Sequence, residues 1–253
     1  KKNCLLCFLL FFSCHSALAG ESLDSLLNVL DKTIKEADTY VQIKENKLHE
    51  LKKEARKTPP FSVERYNLNN DIYLEYKAYS SDSALHYLNE NMLLARQLND
   101  KERELKIQLE LSYLLSSIGM YMEAADILNS IDRQTLPSSL LGHYYTCYEH
   151  VYFEAGAAQP RYKMFASRYV KLSHAYRDSM QITLDPSSAT YLWLRETQLR
   201  EAGKYDEALE FSDRRLAESS FGTPQYALVA YQRFRLFESM GKKDEHLYYL
   251  VLS

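Results

Sequence analysis

The chain has 253 residues, of which 46% are hydrophobic and 26% are charged, and it contains only 7 Gly and 6 Pro. These proportions are typical of a protein that folds around an apolar core, and they exclude disordered and collagen-like chains. The formal charge of −3, from 31 basic and 34 acidic residues, argues against nucleic-acid binding by phosphate neutralisation. Few Gly and Pro also disfavour an all-β protein, which needs a turn signal about every 8–12 residues. The composition therefore predicts an all-α fold.

Residues 1–19 have the pattern of a secretory signal peptide. Two lysines are followed by a short apolar run of leucines and phenylalanines and then by Ala17-Leu18-Ala19. The run is too short to span a bilayer, and the small residues at its end are typical of a cleavage site. We expect cleavage after Ala19. Lipidation of Cys14 stays open as an alternative, because Phe11-Phe12-Ser13-Cys14 loosely resembles a lipoprotein box.

Cysteine usage agrees with export. Cys4, Cys7 and Cys14 lie in the leader, so Cys147 alone stays in the mature chain. A single cysteine closes no internal disulfide, and the remaining roughly 230 residues are enough to fold on an apolar core. An exported, mildly acidic and disulfide-free helical chain suits a bacterial periplasm, which is the predicted location.

The segment 21–57 is predicted to be one long amphipathic helix. Between Ser22 and Arg56 apolar residues recur at steps of three and four, with Lys and Glu between them, and Pro59-Pro60 follows. Such a helix either docks on the rest of the protein or forms a coiled-coil arm for self-association through residues 22–56.

Residues 62–253 alternate helical segments with short breaks, which predicts five helix pairs. The pairs are 62–79 with 82–98, 101–118 with 121–131, 138–155 with 160–181, 187–202 with 205–219, and 224–240 with 243–252. The first helices of the later pairs end near Gly119, Gly156, Gly203 and Gly241, at separations of 37, 47 and 38 positions. A tetratricopeptide (TPR) array has a period of about 34, so this pattern predicts a right-handed TPR-like solenoid with insertions.

Two of these turns carry the residues that a TPR hairpin requires. Gly203-Lys204-Tyr205-Asp206-Glu207-Ala208 and Gly119-Met120-Tyr121-Met122-Glu123-Ala124 share Gly, Tyr, Glu and Ala at the same offsets. The Gly permits the tight turn, the Tyr covers it, and the Ala lets the second helix approach the first closely. The segments after Gly156 and Gly241 keep less of this pattern.

A family resemblance rests on these two turns and on three further segments, Leu23-Asp24-Ser25-Leu26-Leu27-Asn28-Val29-Leu30-Asp31, Tyr66-Asn67-Leu68-Asn69-Asn70 and Asp82-Ser83-Ala84. In these residues the chain resembles exported TPR regulators of Bacteroidota. Such proteins have a signal peptide, helical repeats, a membrane-spanning segment and a cytoplasmic regulatory portion. The resemblance implies a periplasmic sensor or interaction domain of a transcription regulator. Because the chain stops at Ser253 inside an apolar second helix, it is either a fragment, with its membrane segment beyond Ser253, or that helix has another partner.

No catalytic or cofactor motif is recognisable, so the sequence predicts a non-enzymatic protein without cofactor or metal. The one set of ligand-type residues is His143, Cys147, His150 and Glu154, at steps of 4, 3 and 4 along one helix. Four residues so spaced span about 16 Å, which is too long for one ion. Tyr144, Tyr145, Tyr148 and Tyr152 are predicted to be core residues.

The resemblance to TPR arrays places the binding surface on the first helices of the pairs, which line a concave face. Counting back from the glycines gives the candidate partner-binding residues, which are Lys106, Tyr113, His143, His150, Phe153, Glu154, Trp193, Arg200, Tyr231 and Arg235. Aromatic residues and Arg are the usual anchors of interfaces, and the predicted partner is a protein or peptide segment. A surface lipoprotein that binds a glycan or nutrient, with Trp193 stacking on sugar, is the alternative.

Overall fold

The computed structural model describes residues 23–158 and 161–253, so the predicted signal peptide and its cleavage site lie outside the described residues. The helices are α1 Leu23–Lys35, α2 Ala37–Lys57, α3 Val63–Tyr76, α4 Ser81–Gln97, α5 Lys101–Ser117, α6 Tyr121–Ser130, α7 Ser138–Ala157, α8 Lys163–Thr183, α9 Ala189–Glu201, α10 Tyr205–Ala217, α11 Pro224–Met240 and α12 Lys243–Leu252. From α3 onward they form the five predicted pairs, with ends shifted by a few residues.

The helices belong to two compact units. One unit is Val41–Tyr191, and the other combines the described residues up to Tyr40 with Leu192–Ser253. In the first unit, the buried core between α2, α3, α4 and α5 includes Leu48, Ile72 and Leu88. In the second unit, α9, α10 and α11 meet around Leu199, Ala208 and Leu236, and α11 packs on α12.

Three of the predicted glycine turns share one backbone geometry. Gly119, Gly203 and Gly241 have φ of 88°, 73° and 70°, a left-handed conformation that is strained for other residues. In each turn the residue after the glycine donates its N–H to a carbonyl five residues earlier; Lys204 N, for example, lies 2.9 Å from Leu199 O. This is the Schellman bond that ends a helix, and it turns the chain into the second helix of the pair.

One predicted glycine turn is absent, and one turn without a glycine has the left-handed geometry. Gly156 lies inside α7 with a helical backbone, and an added Cβ would be 3.3 Å from Tyr169 Cβ, so this glycine serves close helix packing rather than a turn. The left-handed residue between α4 and α5 is Asn99, with φ of 52°, and Asp100 N donates to Ala95 O at 2.9 Å. Asn tolerates this conformation better than most residues, so it takes the place of glycine there.

The predicted single helix over 21–57 is two helices, α1 and α2, with a turn at Glu36. In α2, Leu48 and Ala55 are buried against α3 and α4, which is the docked arrangement. Helix α1 packs on α12, and its Leu26 is 4% exposed. The apolar last helix therefore has a partner within the chain. Self-association through 22–56 stays a prediction.

The tyrosines of α7 form a stack with those of α8. Tyr144, Tyr145 and Tyr148 are buried, as predicted, and Tyr152 is half-buried. The rings of Tyr148 and Tyr176 are nearly parallel, with centroids 4.7 Å apart, and the Tyr148 hydroxyl donates to Asn129 Oδ1 at 2.9 Å. Ring stacking, with the Tyr148 hydroxyl satisfied, holds this helix pair together.

The alanine that follows each Gly-x-Tyr turn is predicted to be too closely packed to be replaced by a larger residue. Ala208 is fully buried among Leu199 and Leu236, so Ala208→Leu should overpack the contact and cost about 1–3 kcal/mol of unfolding free energy. Lys204→Ala changes an exposed side chain in the same turn and should be near neutral. Urea unfolding curves of the two variants measure the difference, and equal stability would contradict the packing assignment.

Candidate functional site

Three side chains spaced by 33 residues form a polar ladder across the first helices of three successive pairs. Lys77 ends α3, Glu110 lies on α5, and His143 lies on α7. Lys77 Nζ is 3.1 Å from Glu110 Oε2, and His143 Nε2 is 3.6 Å from Glu110 Oε1. The Tyr73 hydroxyl donates to Glu110 Oε2 at 2.6 Å. Glu110 therefore connects α5 to both neighbouring first helices.

The ladder keeps its acid ionised and its imidazole neutral. Burial opposes ionisation of Glu110, but Lys77, His143 and the Tyr73 hydroxyl outweigh it and hold the pKa of the carboxyl below its usual range. Burial lowers the pKa of His143, and Lys77 and Lys106 lower it further, although Glu110 opposes them. The ladder is thus an ion pair flanked by a neutral histidine.

One turn along the same helices, an aromatic pair lies beside the ladder. The rings of Tyr113 and His150 stack with centroids 3.9 Å apart and planes at 9°. His150 Nε2 lies 2.9 Å from Ser117 Oγ, and the Lys77 ammonium is 4.7 Å from the centre of the Tyr113 ring. Burial, with a smaller contribution from Lys77, lowers the pKa of His150 to about 4. We call Lys77, Glu110, Tyr113, His143 and His150 the first-helix strip.

The strip continues toward the end of α7. Glu154 Oε1 is 4.0 Å from His150 Nδ1, and burial and then Glu149 raise the pKa of Glu154. The neighbouring Phe153 is 48% exposed, and its ring centre lies 5.9 Å from the Arg177 guanidinium carbon. Arg177 is fixed in turn by a buried ion pair to Glu149 at 2.8 Å. An exposed aromatic ring thus stands at the end of a rigid polar surface.

Of the predicted partner-binding residues, the first unit brings Tyr113, His143, His150 and Glu154 into direct contact within or beside the strip. Lys106 is exposed and acts on His143 through its charge. Phe153 is exposed beside the strip, and the remaining four belong to the second unit. Trp193 and Arg200 are half-buried on α9, whereas Tyr231 and Arg235 are exposed on α11. Arg235 Nε pairs with Glu238 Oε2 at 3.2 Å.

The residues predicted from the sequence do not include Lys77, Glu110, Tyr73 and Ser117. Counting back from turn glycines does not reach Lys77, because the first pair has no glycine after α3. The 33-residue spacing of positions 77, 110 and 143 is the signal that could have found them, since equivalent residues of successive repeats lie side by side.

The ligand-type residues of α7 do not converge on one point. Cys147 is buried, its thiol lies 3.4 Å from Leu109 O, and burial raises its pKa. His143 and His150 face α5 at different levels, toward Glu110 and Ser117. Across residues 23–158 and 161–253, no group of three or more His, Cys, Asp or Glu is arranged to hold a metal ion.

Paired antiparallel helices, glycine turns followed by a buried alanine, and side-chain contacts between successive first helices define a TPR protein. This class is generally a non-catalytic scaffold that mediates protein interactions. The chain belongs to the SusR N-terminal TPR domain family, whose model matches residues 34–253. The match confirms the similarity to TPR regulators of Bacteroidota. A search of the curated proteins finds no match. None of the helices in the described part of the chain is long and apolar enough to cross a membrane.

Proposed function

We propose that this domain is the periplasmic sensory or interaction part of a transcription regulator, and that its concave first-helix surface binds a protein or peptide segment. The observation that carries the proposal is the first-helix strip. Its charged and aromatic groups are held by contacts between helices rather than by solvent, so their positions are set before a partner arrives. The exposed ring of Phe153, beside this strip, supplies an apolar anchor.

The chemistry of the strip favours binding over catalysis. Glu110 already accepts from Tyr73 and Lys77, and His150 is stacked on Tyr113, so neither group stands ready to take a proton from a substrate. The surface instead offers hydrogen-bonding groups and an aromatic side chain across three helices, as an extended or helical segment requires.

Site-specific photo-cross-linking tests the proposed surface. A benzophenone amino acid at Phe153 should cross-link a partner in cells, whereas the same probe at Met122 should not. Met122 is a matched control, because it is 75% exposed on α6, the second helix of its pair. Mass spectrometry of the cross-linked peptides would identify the partner segment. A cross-link from Met122 with none from Phe153 would place the binding surface on the second helices.

The proposed location predicts the mature N terminus. If residues 1–19 direct export, protein recovered from the periplasmic or membrane fraction should begin at about Gly20. N-terminal sequencing measures this directly. Uncleaved protein in the cytoplasm would contradict export, and an acylated start at Cys14 would favour a surface lipoprotein.

A further inference from the structure

One stretch of the chain has a charge opposite to that of the whole protein. Between Glu154 and Asp178 the sequence contains five Arg and Lys and no Asp or Glu, although the formal charge of the chain is −3. Most of this stretch is α8, the second helix of the third pair. A local basic surface on an acidic protein is suited to an anionic partner.

Four of the five cations are exposed on or just before α8. They are Arg161, Lys163, Arg168 and Lys171. In the part of the chain that the structure describes, none of the four has a carboxylate within ion-pair distance. The fifth, Arg177, is buried and paired with Glu149 across the contact with α7. The exposed charge is thus free of any role in holding the two helices together.

Large apolar side chains lie between these cations. Met164 is 74% exposed, Tyr162 63% and Phe165 47%. The side of α8 that meets α7 is occupied, since Ser173 and Arg177 both bond to Glu149 and Tyr176 stacks on Tyr148. Apolar side chains thus lie exposed among cations on the outer side of α8, which is typical of an interaction surface.

We propose that the outer face of α8 docks on an anionic lipid surface. The four cations bind headgroup phosphates, and Met164 and Phe165 enter the boundary between headgroups and acyl chains. The cations on the helix, from Lys163 to Lys171, extend over about 12 Å, which suits a planar array of charges better than one compact anion. Binding here is independent of the first-helix strip, which lies on α3, α5 and α7.

Co-sedimentation with lipid vesicles tests this surface. The protein should bind vesicles of phosphatidylcholine mixed with phosphatidylglycerol and not vesicles of phosphatidylcholine alone. Raising the salt from about 0.01 M to about 1 M should abolish binding, because the screening length falls from about 30 Å to about 3 Å. The triple variant K163Q/R168Q/K171Q should lose about a hundredfold in partitioning, at about fivefold for each cation.

Matched variants separate the surface from net charge. K101Q/K204Q/K243Q removes three exposed lysines elsewhere and should keep wild-type binding. M164S/F165S should weaken binding without changing its salt dependence, since it removes only the apolar contact. All variants share one N terminus, so any vesicle binding by the apolar leader is the same in each of them. Circular dichroism checks that each variant is folded.

Two results would overturn the proposal. One is equal loss of vesicle binding in both triple variants, which would show that net charge alone attracts the protein. The other is that the protein does not bind anionic vesicles but binds poly-glutamate in a salt-sensitive way, and that K163Q/R168Q/K171Q abolishes this binding. That result would assign the outer face of α8 to an acidic protein partner instead.

Discussion

Glu196→Leu should destabilise the protein by about 3–5 kcal/mol, because it leaves a buried guanidinium without its counter-charge. Arg215 Nη1 lies 2.5 Å from Glu196 Oε2, and both side chains are 3% exposed. Burial raises the pKa of Glu196 even though Arg215 opposes this shift, so desolvation of the carboxylate outweighs the attraction of its partner. The other Arg215 amino group donates to Gln232, which ties α10 to α11.

The double variant E196L/R215M separates the loss of the ion pair from the cost of burying the Arg215 charge alone. Replacing both charges by apolar side chains of similar size should recover most of the lost stability, since no charge is then buried alone. Urea unfolding of wild type, single and double variants measures this. Lys204→Ala in the exposed Lys204–Glu207 pair, at 3.1 Å, should change stability by less than about 1 kcal/mol. A Glu196→Leu effect as small as this would show that water reaches Arg215.

Acidification should destabilise the first unit through His150. Its pKa is about 4 in the folded protein and about 6.5 in an unfolded chain. The unfolded state therefore binds more protons between these values, so the stability is present above pH 6.5 and is lost as the pH falls toward 4. The difference corresponds to about 3 kcal/mol over the whole window, and to about 2 kcal/mol between pH 7 and pH 5. His143, whose pKa is also lowered, acts in the same direction.

Unfolding free energies of His150→Gln at pH 7 and pH 5 isolate this contribution. The variant should lose about 2 kcal/mol less than wild type over this interval, because glutamine does not titrate. His86→Gln is the matched control, since it replaces an exposed histidine on α4 of the same unit. An unchanged pH dependence in His150→Gln would mean that His150 is solvated and is not held against Tyr113.

The candidate site could be predicted from the sequence only in part. Tyr113, His143 and His150 were found because their positions along each helix follow from the turn glycine that ends it or from their spacing. Glu110, the residue that joins them, was not found, since an acidic residue on a charged helix carries no signal of its own. Its role comes from Lys77 and His143, each 33 positions away, which only the packing of successive repeats brings together.

By itself the sequence determined the helix pairs and three of the turns within them. Helical periodicity and the left-handed preference of Gly119, Gly203 and Gly241 are local properties, so they can be read without knowing the fold. Only the tertiary structure decided that the predicted long helix breaks at Glu36 and that α1 covers α12. An apolar stripe indicates that a helix packs on another element but does not identify that element, because burial depends on contacts between residues far apart in the chain.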